Sequence, residues 1–184
     1  MPPPLFRNRI PYHGVNRSVK SLRGSLALLL LTVVGACAHN TTRMSRNLVG
    51  GHPVGGELSL TAEKKGDGDS ASYELFVHWT SNFRVNVQPG PSLTIIADRQ
   101  TMTFSANSKD IYHDSSCEQG PCLYDDRAYY PATAAEIRTI AQASQVLVEV
   151  TGSKRTVQRD FTETNFDNFR GFVAKNVLGS SAAR

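Results

Sequence analysis

Tyr73-Glu74-Leu75-Phe76-Val77-His78-Trp79 alternates without a break. Tyr73, Leu75, Val77 and Trp79 fall on one face and Glu74, Phe76 and His78 on the other, the period of two that a half-buried strand requires. Its β-branched and aromatic side chains suit a pleated surface. Further stretches of the same kind surround it. Glu57–Ala62 reads as a strand upstream, followed by the polar turn Lys64–Ser70. Asp67-x-Asp69 in that turn lacks the further ligands and terminal Glu of a calcium loop. Downstream, Arg84–Gln88 alternates with Val85 and Val87 inward and stops at Pro89-Gly90-Pro91. Leu93–Ala97 and Thr101–Ala106 then read as a hairpin around Asp98-Arg99-Gln100.

The segment from Asn107 to Tyr130 is the least regular, and reads as a long loop or hairpin tip returning through a strand near Leu123–Tyr130. Thr133-Ala134-Ala135-Glu136 is a capping box, in which the hydroxyl and the carboxylate each satisfy a free N–H of a helix start. Ile137, Ile140 and Ala141 follow on one helical face. Gln145–Thr151 is a strand, Gly152-Ser153 turns the chain, and Arg155–Asp160 returns as a polar edge strand. A second helix opens at Thr162, with Phe161 and Phe166 spaced as a hydrophobic staple. Phe166, Phe169, Val173 and Val177 form a stripe suited to core packing. These elements predict an α+β domain over 57–178: an antiparallel sheet of about six to eight strands, with two helices packed on it near the C-terminus. Residues 179–184 read as a frayed tail. A strand-rich half ahead of the helices argues against a doubly wound parallel sheet.

The N-terminal 36 residues are of another kind. Arg7, Arg9, Arg17, Lys20 and Arg23 stand there without an acidic residue, and an apolar run extends from Leu26 to Val34. Gly35 and Ala36 then precede Cys37. A basic region, a short apolar run and small residues at its end are the parts of an export signal. The apolar run is shorter than the roughly 20 residues a membrane-spanning helix needs. Val34-Gly35-Ala36-Cys37 resembles the lipobox of bacterial lipoproteins. That resemblance implies removal of 1–36 and covalent lipid on Cys37, and Ala38 in place of Asp implies sorting to the outer membrane where one exists. Attachment is to the membrane of the cell envelope, facing the periplasm or the surface. No other cofactor is implied. A plain secretory signal cut near Ala36 or Ala38 is the rival, and a buried core helix the more distant one. Residues 37–56, with Gly50-Gly51-His52-Pro53-Val54-Gly55-Gly56, read as a lipidated cysteine and a flexible tether.

Removing the leader changes the charge. The 184-residue chain is formally +4, with 20 Lys and Arg against 16 Asp and Glu. Five of the cations and none of the anions precede Cys37, so the remainder is near neutral. No basic stripe with interleaved aromatics is left, and a nucleic-acid partner is not expected. With Cys37 assigned to lipid, Cys117 and Cys122 are an even pair in the oxidising compartment that the resemblance implies, which favours a disulfide. Redox chemistry would want Cys-x-x-Cys. A metal site would recruit His113 or Asp114, and a second ligand pair of similar spacing is missing.

Catalytic motifs are sparse. No Gly-x-Ser-x-Gly elbow accompanies His78 or His113. Asp125 and Asp126 are adjacent on a strand and point to opposite faces, which suits them poorly to paired acid-base work. His113, Asp114, Asp125 and Tyr129 are the candidate interaction surface. The expected function is a non-catalytic envelope lipoprotein acting as an interaction module on an envelope protein or polysaccharide. The alternatives are a small periplasmic enzyme acting on cell-wall material and a ligand-binding or inhibitor module.

Overall fold

The computed structural model describes residues 41–50, 55–118 and 120–178. The expectations for the leader, for Cys37 and for the tail at 179–184 lie outside them. Nine strands and two helices follow in the order β1 Thr41–Arg43, β2 Glu57–Lys65, β3 Ser72–Ser81, β4 Gly90–Ala97, β5 Gln100–Ala106, β6 Ile111–Ser116, β7 Leu123–Ala132, α1 Ala134–Gln142, β8 Val146–Thr151, β9 Thr156–Asp160 and α2 Glu163–Val173. A turn of π-helix, Ala174–Leu178, continues α2. All strand pairs are antiparallel, in two sheets: β1-β2-β3-β7-β6 and β5-β4-β8-β9. Among the described residues no helix is long and apolar enough to cross a membrane.

The α+β class and the two late helices match the expectation, and one sheet of six to eight strands does not. Alternation shows which side chains are buried, but strand partners are set by contacts distant in sequence. The inner faces of both sheets and the buried faces of both helices share one apolar core, with Trp79, Tyr130, Phe169, Leu60, Leu93, Ile95, Ile137 and Ile140 among its fully buried side chains. Ser92 of β4 and Tyr130 of β7 join the sheets inside it, Oγ to Oη at 3.1 Å. Burial pushes the Tyr130 phenol up to about 12 against the opposing bond from Ser92, so it stays neutral.

Arg84–Gln88 is not a strand. Val85 and Val87 are buried as expected, but Asn86 has φ of 60°, which turns the backbone out of an extended run. Here the chain crosses from one sheet to the other, and the turn after β8 holds it. Ser153 N–H donates to Asn86 O at 3.0 Å and Lys154 N–H to Val85 O at 3.1 Å.

The tether expectation for 37–56 fails where the structure describes it. Thr41–Arg43 pairs with Glu63–Lys65. Met44 N–H then donates to Ala62 O, Asn47 O accepts from Leu60 N–H, and Val49 N–H donates to Leu58 O. The segment lacks a period, yet its backbone covers the free edge of β2, which would otherwise expose unpaired groups. Asn47 is buried and locks this edge to α2: its Nδ2 donates to Leu60 O at 3.0 Å, and its Oδ1 accepts from Asn165 at 2.7 Å and Asn168 at 2.9 Å. The folded domain therefore begins by Thr41, not at Glu57. Residues 38–40 and 51–54 are outside the described residues.

Both helix starts follow their sequence signals. Glu136 N–H donates to Thr133 Oγ1 at 3.2 Å, and Glu136 Oε2 accepts from Thr133 N–H at 2.7 Å. At α2, Asn165 Oδ1 takes the reciprocal role toward Thr162 N–H at 2.7 Å, and the Phe161 and Phe166 rings meet edge to face at 5.3 Å.

Two substitutions test this packing in urea denaturation. Trp79→Ala is expected to cost about 3–5 kcal/mol through the cavity it leaves. Gly152→Ala is expected to cost at least about 2 kcal/mol, because a Cβ there would run into the Val85 carbonyl, 2.6 Å from its carbon. Midpoints within experimental error of the parent would contradict the placement of these residues.

Candidate interaction surface

Because partners across antiparallel strands share a face, the pairing register lays out the outer face of the five-stranded sheet row by row. One row runs Arg43, Glu63, Glu74, Pro131; the next Thr61, Phe76, Tyr129. A third crosses the whole sheet as Leu48, Ser59, His78, Arg127, Tyr112. Glu57, Thr80, Asp125 and Asp114 make the fourth, and Leu123 faces Ser116 beyond them. Three of the four expected surface residues, Asp114, Asp125 and Tyr129, thus come together.

At the centre is an aromatic ladder. Phe76 and Tyr129 lie 4.6 Å apart between ring centroids, and Tyr112 meets Tyr129 edge-on at 6.4 Å. The Arg43 guanidinium sits 4.9 Å above Phe76 and donates to Tyr129 Oη at 3.0 Å. Four large apolar side chains are exposed among the described residues: Leu48 (42%), Tyr112 (55%), Leu123 (55%) and Leu178. The first three are on this face.

Paired charges frame the ladder. Arg43 pairs with Glu63, Lys65 with Glu74 at 2.6 Å, and Arg46 with Glu57. Burial works to lower the Arg43 guanidinium, and bonds to Glu63 and Tyr129 outweigh it, so it is raised overall. The Glu74 bond raises the Lys65 ammonium against burial. Asp125 Oδ2 accepts from Arg127 Nη2 at 3.0 Å and meets His78 Nε2 at 2.9 Å, and its Oδ1 pairs in charge with Arg127 Nε at 2.7 Å. Burial pushes its carboxyl up, but the bonds from Arg127 and His78 prevail and hold it below the usual carboxylate range.

Thr80, His78 and Asp125 bring a hydroxyl, an imidazole and a carboxylate together, but not as a relay. Thr80 Oγ1 meets Nε2 at 3.0 Å, the same nitrogen that Asp125 holds. A hydroxyl is activated when the carboxylate takes one ring nitrogen and the hydroxyl the other. His78 here is a bridge in a polar network.

His113 lies on the opposite face of β6, apart from the other three. Its Nδ1 meets Asp126 Oδ1 at 2.5 Å, and Asp126 is buried, with 1% of its side chain exposed. The other oxygen of Asp126 accepts from Val85 N–H at 2.9 Å and Asn86 N–H at 3.0 Å. Among the described residues no hydrogen bond reaches the far nitrogen of His113, and no group of three or more His, Cys, Asp and Glu is gathered as a metal site would need. Cys117 and Cys122 are joined in a disulfide that closes the β6–β7 loop.

The roles of Phe76, Arg43 and Asp126 escape a reading of the sequence. Phe76 stands out as an aromatic ring on the polar side of an alternating strand. Its partners are 33 residues before it and 53 after it, and no local signal names them.

The chain matches no family model, no curated protein and no solved structure. The lowered Asp125 carboxyl adds stability that is present above the unfolded carboxyl value of about 3.9 and is lost as pH falls through the lower folded value. Asp125→Asn is therefore expected to flatten the decline in melting temperature below about pH 4. A decline identical to that of the parent would show that the Arg127 and His78 bonds do not act in solution.

Proposed function

We propose that this chain is a membrane-tethered envelope lipoprotein whose described domain is a non-catalytic interaction module, and that the outer face of the five-stranded sheet receives another envelope protein. The observation that carries this reading is the exposure of Leu48, Tyr112 and Leu123 on one face, together with the Phe76–Tyr129 pair and among paired charges. Tyr and Arg are the side chains that protein interfaces favour at their centres, and charges already paired cost less to cover. A protein suits the face better than a polysaccharide. Sugars stack on open ring faces, whereas Arg43 caps Phe76 and the ladder rings are tilted at 35° and 84° to one another.

The lipid anchor is inferred from Val34-Gly35-Ala36-Cys37. The first strand begins four residues after Cys37, so an extended link reaches no more than about 14 Å. Two or three acyl chains hold a protein durably, each buried methylene contributing about 0.8 kcal/mol. The module would ride close to the membrane, with the β1 edge of the platform nearest the anchor.

Cys37→Ala is expected to abolish incorporation of labelled fatty acid and release the protein from membranes; a variant that still sediments with membranes would refute the anchor. The surface is tested separately, by a photo-crosslinking residue at Tyr112 compared with one at Thr103, on the outer face of the other sheet. Discrete protein adducts from position 112 and none from 103 are expected in cells. Equal adducts from both, or only carbohydrate adducts from 112, would overturn the assignment.

A further inference from the structure

A second feature lies away from the platform, where the two sheets meet at one end. A cleft of about 710 Å³ is lined by Phe83 and Arg84 from the β3–β4 crossover, Lys154 and Arg155 from the β8–β9 turn, and Ser115 and Tyr124 from the β6–β7 hairpin. Three cations thus converge from two segments that are 70 residues apart. Six of the other eleven described Lys and Arg pair with Asp or Glu. Among the described residues these three make no ion pair. Glu118, in the disulfide loop at the rim, is not bonded to them either.

Two of the three cations pack on aromatic rings. The Arg84 guanidinium lies 4.9 Å from the centre of the Tyr124 ring and that of Arg155 lies 4.6 Å from the centre of Phe83. A guanidinium attracted to a ring through its charge has N–H groups left for an acceptor. The backbone beneath is fixed as well: Asn86 Nδ2 donates to Ser153 Oγ at 2.5 Å, Lys154 N–H donates to Val85 O, and Asp126 takes the N–H groups of Val85 and Asn86. A preformed group of unpaired, converging donors favours an anion, since it need not be reorganised on binding.

We propose that this cleft binds a phosphate monoester group, with Arg84, Lys154 and Arg155 as its ligands. A phosphate monoester carries close to two negative charges at neutral pH and three acceptor oxygens, which suits three cations better than a single carboxylate does. A nucleic-acid backbone would engage a longer run of cations than the three that line this cleft. This assignment stands on the cleft alone and does not depend on the sheet platform.

The test is calorimetric titration of the full-length protein in neutral detergent with inorganic phosphate, and with dihexanoyl phosphatidic acid below its micellar concentration. Dihexanoyl phosphatidylcholine is the control. Saturable binding of either phosphate probe is expected, and the stronger of the two separates a soluble ligand from a lipid headgroup. K154E/R155E is expected to weaken it at least about tenfold, as the loss of one charge-assisted hydrogen bond would. Both side chains are exposed, so the melting temperature should hold. Arg99→Glu, on the distant β4–β5 turn, should leave binding unchanged. Absence of saturable binding, equal binding of phosphatidylcholine, or affinity retained in K154E/R155E would overturn the proposal.

Discussion

One buried carboxylate holds together the parts of this domain that chain connectivity leaves apart. Asp126 sits on the inner face of β7, opposite Trp79. One of its oxygens holds His113 on the edge strand β6, and the other holds the N–H groups of Val85 and Asn86 in the crossover between sheets. Those amides have no strand partner, so without an acceptor they would be buried and unsatisfied. The crossover in turn supports the 152–155 turn of the second sheet and carries Arg84 into the cationic cleft. A carboxylate with three such partners is favourable in the interior because both of its oxygens are bonded.

The local half of this fold is legible in the sequence, and the non-local half is not. Alternation marks Tyr73, Leu75, Val77 and Trp79 as inward, and all four are buried. The capping box at Thr133 and the Phe161–Phe166 staple sit where the helices start, because each is formed by residues no more than five positions apart. Thr41–Val49 shows the limit. Its side chains have no period, but its backbone completes the edge of β2, and Asn47 meets α2 through side chains more than 115 residues away. The same limit applies to the surface. Adjacent aspartates on a strand imply opposite faces, and Asp125 and Asp126 do point to opposite faces. Which neighbours each would meet depended on the register of β3, β6 and β7. His113 is accordingly parted from Asp114, Asp125 and Tyr129 by the pleat of a single strand.

The two candidate surfaces differ in kind. The platform is aromatic with paired charges, and suits the broad contact of another protein. The cleft is lined by three cations without an ion pair among the described residues, and suits a small anion. The platform spans five strands that include the segment nearest Cys37, whereas the cleft is lined by the β3–β4 crossover, the β8–β9 turn and the β6–β7 hairpin. The disulfide closes the β6–β7 loop at the cleft rim, where Cys117 is part of the lining. A cross-link over so short a loop limits how far that rim can open.

Amide hydrogen exchange in Asp126→Ala tests most directly whether this carboxylate holds the crossover. Loss of protection at Val85 and Asn86 is expected, spreading to the 152–155 turn while the β3–β7 core stays protected, together with a lower melting temperature. Unchanged protection at Val85 and Asn86 would mean that the crossover is held by something else.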